Sequence, residues 1–177
     1  MLNKLNRKNS GYTLMEALVA ISVIVFAIVG PLSLAAKSLA DSQFAKDQIT
    51  AFYLAQDAIE WVHNMKDTTS LNGKWDDIKS KCVSKCDVDT ISSKVRQCDG
   101  IGGVCSQLQV KSTGLRIYRV KELLLGALDY VNSRFVRSTT VTQTASLPTE
   151  YRITVNVSWQ NGTNPRNLNI SEYLYRD

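Results

Sequence analysis

Charge is missing from one long stretch of this chain. Between Asn9 and Ala36 only Tyr12 and Glu16 carry ionisable side chains, and the 20 residues from Ala17 to Ala36 carry none. Proline is scarce, at three, and glycine stops at nine, which excludes collagen-like, low-complexity and wholly disordered classes. There is a single histidine, His63, and no G-x-x-x-x-G-K-S/T, H-E-x-x-H or G-x-S-x-G pattern. A paired-histidine metal site and a nucleophile–base constellation are therefore both lacking, so His63 reads as a wetted helix residue, and no enzyme, cofactor or metal is expected. A length of 177 residues leaves room for one domain with an appendage, not for two large lobes around a cleft. The net charge is +5, but Lys4, Arg7 and Lys8 supply three of those charges and leave +2 on the rest, too small a bias to point to nucleic acid.

What is present begins with that uncharged run. At about 1.5 Å per residue, twenty helical residues reach the ~30 Å thickness of a bilayer's hydrocarbon core. Three positive residues precede the run and a mixture of Lys37 and Asp41 follows it, which puts the N-terminus in the cytoplasm and residues 37–177 outside. Two simpler readings compete with a specialised one. Ser33-Leu34-Ala35 fits the small-x-small site of a cleaved signal peptide, although the apolar stretch exceeds the about 7 to 15 residues of such signals and opens on a carboxylate. An uncleaved single-span anchor is the other.

The boundary Ser10-Gly11-Tyr12-Thr13-Leu14-Met15-Glu16-Ala17-Leu18 separates these readings. Glycine, an aromatic, threonine, leucine, an apolar residue and glutamate, behind a basic leader and ahead of an apolar helix, resemble the prepilin cleavage and methylation motif of type IV pilins and type II secretion pseudopilins. The resemblance implies cleavage after Gly11 by a membrane-embedded prepilin peptidase, N-methylation of Tyr12, and an assembly role for Glu16 as the fifth residue of the mature chain. It also implies other pilin subunits, an inner-membrane assembly machinery with its cytoplasmic motor, and membrane lipid as partners. The chain would sit in the inner membrane with its C-terminal head outside, then in an extracellular filament. Glu16 has a physical reading of its own: a carboxylate at the head of a lipid-embedded helix seeks a partner, and a neighbouring subunit's freed Tyr12 amine would supply one. Thr13-x-x-Glu16 also matches a capping box, in which Glu16 merely returns a hydrogen bond to the Thr13 backbone.

Beyond the span the apolar residues become periodic. Phe44, Gln48, Ala51, Phe52, Ala55, Ile59, Val62 and His63 recur at helical spacing, with Asp47, Thr50, Asp57, Glu60 and Asn64 opposite, so the helix is expected to continue to about Met65, roughly 80 Å from Tyr12. Gly30-Pro31 is expected to kink or locally melt it, and Pro31 stands near the place where this family often carries a helix-breaking proline. Tyr53-Leu54-Ala55-Gln56-Asp57-Ala58-Ile59-Glu60 resembles a stretch of PilV-type minor pilins.

Residues 67–114 are rich in turn signals and hold all four cysteines, Cys82, Cys86, Cys98 and Cys105, in a C-x3-C-x11-C-x6-C arrangement. An even count in an extracytoplasmic segment poor in core residues argues for two disulfides. Three connectivities are open; the nested one, Cys82 with Cys105 and Cys86 with Cys98, suits two segments folding back around residues 87–97. A four-thiolate zinc site is the rival, weakened by the lack of a C-x2-C knuckle. Asp87-x-Asp89 falls far short of the six to eight oxygens calcium takes.

The C-terminal third switches to a period of two. Tyr151, Ile153, Val155, Val157 and Trp159 alternate with polar residues; residues 135–142 and 115–120 read as strands before them, and residues 166–175 as a partner after the Asn161-Gly162 turn. The expected fold is α+β: a long N-terminal helix, transmembrane then amphipathic, packed on an antiparallel sheet of about four strands. Phe135-Val136-Arg137, the Val-x-Val-x-Trp strand and Ile170-Ser171-Glu172-Tyr173-Leu174 resemble the sheet of minor pilins, which implies the type IV pilin fold. The divisions are a leader at 1–11, an assembly segment at 12–36, an amphipathic half at 37–66, a cysteine-containing insertion at 67–114 and the sheet at 115–177. The functional expectation is a structural subunit of a type IV pilus or pilus-like filament, a minor pilin; the alternatives are a type II secretion pseudopilin and a stationary membrane-anchored binding domain. Arg116, Arg119, Lys121, Arg134 and Arg137 form a possible basic stripe for DNA, but alternate-strand arginines usually line a solvated sheet face, and no aromatic stacking platform accompanies them.

Cleavage between Gly11 and Tyr12 needs an accessible backbone, which glycine gives without a side chain. Gly11→Val is expected to leave the full-length precursor in the membrane, read by intact mass; normal processing of that variant would misplace the site.

Overall fold

The computed structural model of the chain describes residues 13–68, 74–98, 103–112, 117–120, 130–144 and 149–175. Helix α1 runs over Leu14–Thr68, α2 over Lys74–Lys81, and the strands are β1 Cys86–Asp89, β2 Lys94–Gln97, β3 Gln107–Lys111, β4 Tyr118–Val120, β5 Tyr130–Gln143, β6 Glu150–Asn161 and β7 Asn164–Tyr175. Two compact units contain these elements, Met1–Ala45 and Lys46–Asp177. The class is α+β with an antiparallel sheet, of seven strands where about four were expected.

In the first unit α1 stays helical through Pro31, so the expected interruption at Gly30-Pro31 does not end the helix. Proline removes only its own N–H, at a cost of about 3 kcal/mol in a helix interior, and the i→i−4 bonds above and below it continue.

In the second unit β5 is the shared strand. It pairs with β6 from Phe135↔Trp159 to Gln143↔Tyr151, with β3 from Lys111↔Tyr130 to Gln107↔Val136, and with β1 at Cys86↔Thr139. β6 pairs with β7 over their whole length, joined by a turn in which Gly162 takes φ 62°, the left-handed region glycine enters at little cost. The alternation read from Tyr151 to Trp159 is observed: Tyr151, Ile153, Val155, Val157 and Trp159 are buried and their neighbours are not.

Residues 74–111 supply α2, β1, β2 and β3, where a loop-rich insertion was expected. Of their strands, β1 escapes the period-two reading because it is buried at all four positions, Cys86, Asp87, Val88 and Asp89, and so shows no alternation, while β2 is largely exposed and β3 mixed. Its hairpin to β2 is made by Asp89: Oδ1 accepts the backbone N–H groups of Ile91 and Ser92 at 3.1 and 3.3 Å, and Oδ2 accepts the Ser92 hydroxyl at 2.8 Å. α2 buries Trp75 and Ile78, with Trp75 edge-on to Tyr151 at 5.3 Å.

The buried stripe of α1 is Asp47, Ala51, Leu54, Ala55, Ala58, Ile59 and Val62. Ala51, Ala55, Ile59 and Val62 are the expected residues, but the face is rotated from the expected one. Gln48 and Phe52 are exposed, Leu54 and Ala58 join the core, and Asp47 turns inward because Arg134 of β5 meets its carboxylate at 2.8 Å. Further ties locate this half of α1 on the sheet: Arg137 of β5 donates to the Leu54 carbonyl and to Asp57, both at 2.8 Å, His63 lies 3.1 Å from Glu172 of β7, and Lys66 donates to the Tyr175 carbonyl.

Arg137 is 3% exposed and also donates to the Val88 carbonyl of β1 at 2.6 Å. Arg137→Ala removes the donor shared by two carbonyls and the counter-charge of Asp57, and urea denaturation is expected to show a loss of about 2–4 kcal/mol. The side chain of Asp57 is half exposed, so water replaces what it loses, and Asp57→Asn is expected to cost about 1 kcal/mol or less.

Candidate functional site

The helix start is built by Thr13, whose hydroxyl accepts the Glu16 backbone N–H at 3.3 Å while its carbonyl accepts that of Ala17 at 3.2 Å. Threonine thus satisfies a donor left over by the first turn. The Glu16 side chain is exposed. Gly11 and Tyr12, the expected cleavage and methylation residues, lie outside the described residues.

From Thr13 to Gln43 every residue of α1 is exposed, including Leu14 at 80%, Phe26 at 78% and Leu39 at 71%. The apolar residues form no stripe; they cover the helix all round, unlike the amphipathic surface a helix uses against a globular core. Each large side chain left in water forgoes about 1.5–3 kcal/mol of burial, so this segment calls for lipid or other helices around it. Near the N-terminus the chain therefore has a helix long and apolar enough to cross a membrane. Two hydroxyls within the uncharged run suit such surroundings: Ser22 donates to the Val19 carbonyl and Ser33 to the Gly30 carbonyl, each at 2.8 Å. Around Gly30 there is open space for a Cβ, so the chain's own packing does not require glycine there.

The four cysteines form two bridges, as expected, but the connectivity is sequential. Cys82 joins Cys86 and Cys98 joins Cys105, with Cα atoms 4.9 and 4.6 Å apart, which overturns the nested pairing. The physical reason is the β1–β2 hairpin: Cys86 and Gln97 are cross-strand partners, so the segments around residues 87–97 are held together by a strand ladder, Cys86 at its start bridges back to Cys82, and Cys98 just past its end bridges on to Cys105. All four sulfurs are used, which removes the ligands of a four-thiolate zinc site. Asp89 is occupied by its turn, while Asp87 is buried beside the Cys98–Cys105 bridge.

Among the described residues the basic stripe does not assemble. Arg119 lies over the Tyr130 ring at 3.9 Å, Arg134 pairs with Asp47 and Arg137 is buried; Arg116 and Lys121 lie outside the described residues. The inward turn of Arg137 was legible in its parity with Phe135, Thr139 and Val141, all buried. No protein-family model, curated protein or solved structure matches the chain.

Lysine near a bilayer's centre costs about 2.5–3.5 kcal/mol per residue. The double variant Val23→Lys, Ile24→Lys is expected to move the chain from the carbonate-resistant membrane fraction to the soluble or degraded fraction, whereas the exposed change Gln160→Lys on β6 leaves it in the membrane.

Proposed function

We propose that this chain is a structural subunit of a type IV pilus or pilus-like filament, a minor pilin, stored in the inner membrane and drawn into a helical filament after removal of residues 1–11. The observation that carries the reading is the surface of α1 from Ala17 to Ala36: exposed all round, free of charge, and headed by the lone carboxylate of Glu16. A helix of that kind has two compatible surroundings, a bilayer and a bundle of equivalent helices, and a filament subunit passes from one to the other. Cleavage after Gly11 creates a cationic amine at Tyr12. In the apolar interior of a filament that cation is stable only beside an opposite charge, and Glu16 of a neighbouring subunit supplies it and fixes the axial register. The α+β unit from Lys46 onward is carried outside as the head, and it has no part in catalysis.

A stationary anchored domain shares the same helix. The two readings part at the N-terminus: a methylated Tyr12 supports the filament subunit, and a retained Met1 or a start at Ala36 supports the stationary domain or a cleaved signal.

Glu16→Ala is expected to insert, to be cleaved and to keep a folded head, but to fall about tenfold or more in sheared fibres relative to membranes, since an unpaired buried ion costs several kcal/mol. Glu16→Gln should fall between. Native amounts of the alanine variant in fibres would mean that position 16 serves only the helix cap.

A further inference from the structure

Asp87 is the most deeply buried carboxylate among the described residues that bears no structural duty equal to its burial. It is 2% exposed. One oxygen, Oδ2, accepts the Ser106 backbone N–H and an Arg96 N–H, both at a long 3.3 Å, while Oδ1 is buried without a hydrogen-bond partner. A carboxylate oxygen of Asp87 and the sulfurs of Cys98 and Cys105 all lie within 4.8 Å of one another. The sulfurs of Cys82 and Cys86 have no carboxylate gathered with them in this way among the described residues. An unpartnered buried acceptor costs free energy, and here it sits beside two atoms that carry protons whenever the bridge is open.

We propose that Asp87 is the proton acceptor for closure of the Cys98–Cys105 disulfide by thiol–disulfide exchange. The co-reactant is a disulfide oxidant, protein or small molecule. One thiol of the reduced pair loses its proton to water and, as the thiolate, attacks a sulfur of that oxidant, giving a mixed disulfide and releasing one oxidant thiolate, which takes up a proton from water. The second thiol gives its proton to the Asp87 carboxylate, attacks the cysteine sulfur of the mixed disulfide, and forms the Cys98–Cys105 bond as the second oxidant thiolate leaves. Two electrons pass to the oxidant, whose disulfide becomes two thiols. Asp87 returns its proton to the departing sulfur or to water and regains its charge.

The surroundings suit the role. Burial pushes the Asp87 carboxyl above its usual range, against the Ser106 N–H and the Arg96 and Arg137 guanidiniums, which pull it down. A carboxylate raised in this way is a stronger proton acceptor than a free aspartate, and the thiolate it produces is the reactive form of cysteine. Arg96 and Arg137 are the charged groups facing it, from β2 and β5.

The test uses the full-length chain in detergent, reduced with excess dithiol, freed of reductant and mixed with oxidised glutathione. Timed alkylation and peptide mass spectrometry follow each bridge separately from pH 5 to pH 9. Below pH 8, where an ordinary thiol is mostly protonated, Asp87→Asn is expected to slow closure of Cys98–Cys105 by about tenfold or more and to leave Cys82–Cys86 unchanged. The difference should shrink toward pH 9 as the thiols ionise unaided, and Asp87→Glu should recover part of the rate. The Cys82–Cys86 rate in the same molecules reports whether the reduced head is intact. Equal slowing of both bridges, a defect independent of pH, or no defect in Asp87→Asn would each overturn the proposal.

Discussion

The second unit depends on one buried cation. The guanidinium of Arg137 reaches from β5 to the Leu54 carbonyl and Asp57 carboxylate of α1 and to the Val88 carbonyl of β1. β1 is joined to β5 at a single residue pair, Cys86↔Thr139, so the bond to Val88 holds the far end of β1 in place. Asp57 in turn accepts the Thr90 hydroxyl at 2.9 Å, which adds the turn after β1 to the same cluster. A charge in that position is costly unless every one of these acceptors is where it is, so the placement of α1 on the sheet and of β1 beside β5 are coupled. Such a pair specifies an arrangement more than it stabilises one.

The cysteine region follows from this. With β1 fixed on one side, β2 folds back through the Asp89 turn, and the bridges are left to close short segments with sequence separations of 4 and 7. In the chain-entropy account such short loops give about 2–2.5 kcal/mol each, against about 3–3.5 for the nested loops. The sequential pairing thus forgoes entropic stabilisation, and the hairpin ladder makes up what long-range cross-links would otherwise supply. It also leaves one bridge next to a buried carboxylate and the other away from it, a chemical difference between two cystines that look alike in the sequence.

α1 serves two kinds of surrounding with one backbone. From residue 47 onward one stripe of α1 is buried, although Ile49, Phe52 and Tyr53 stay exposed, and the helix is tied to the sheet through Asp47, Asp57, His63 and Lys66. Before residue 44 no side is distinguished from another, and the two serines of the span turn their hydroxyls back on the helix. The division suits the filament subunit proposed above, whose first part would exchange lipid for neighbouring helices while the second part stays on its own sheet.

The amino-acid sequence by itself determined the features that rest on neighbours along the chain. The uncharged run to Ala36, the helical spacing of Ala51, Ala55, Ile59 and Val62, the alternation from Tyr151 to Trp159 and the turn at Gly162 are each set by local periodicity and local conformational preference, and each is where the sequence places it. The even cysteine count was enough to indicate two bridges. Only the tertiary structure decided how charged residues leave the water: Asp47 and Asp87 read as surface residues until a partner from a distant segment makes their burial tolerable, and the parity of Arg137 with Phe135 and Val141 turns it inward without saying which acceptors it meets there. For the same reason β1 and the cystine pairing were hidden, since a strand covered on both faces has no alternation to show, and a disulfide is chosen by which Cα atoms the fold brings within about 4.4–6.8 Å; β2 and β3 are only four and five residues long, too short to show a period.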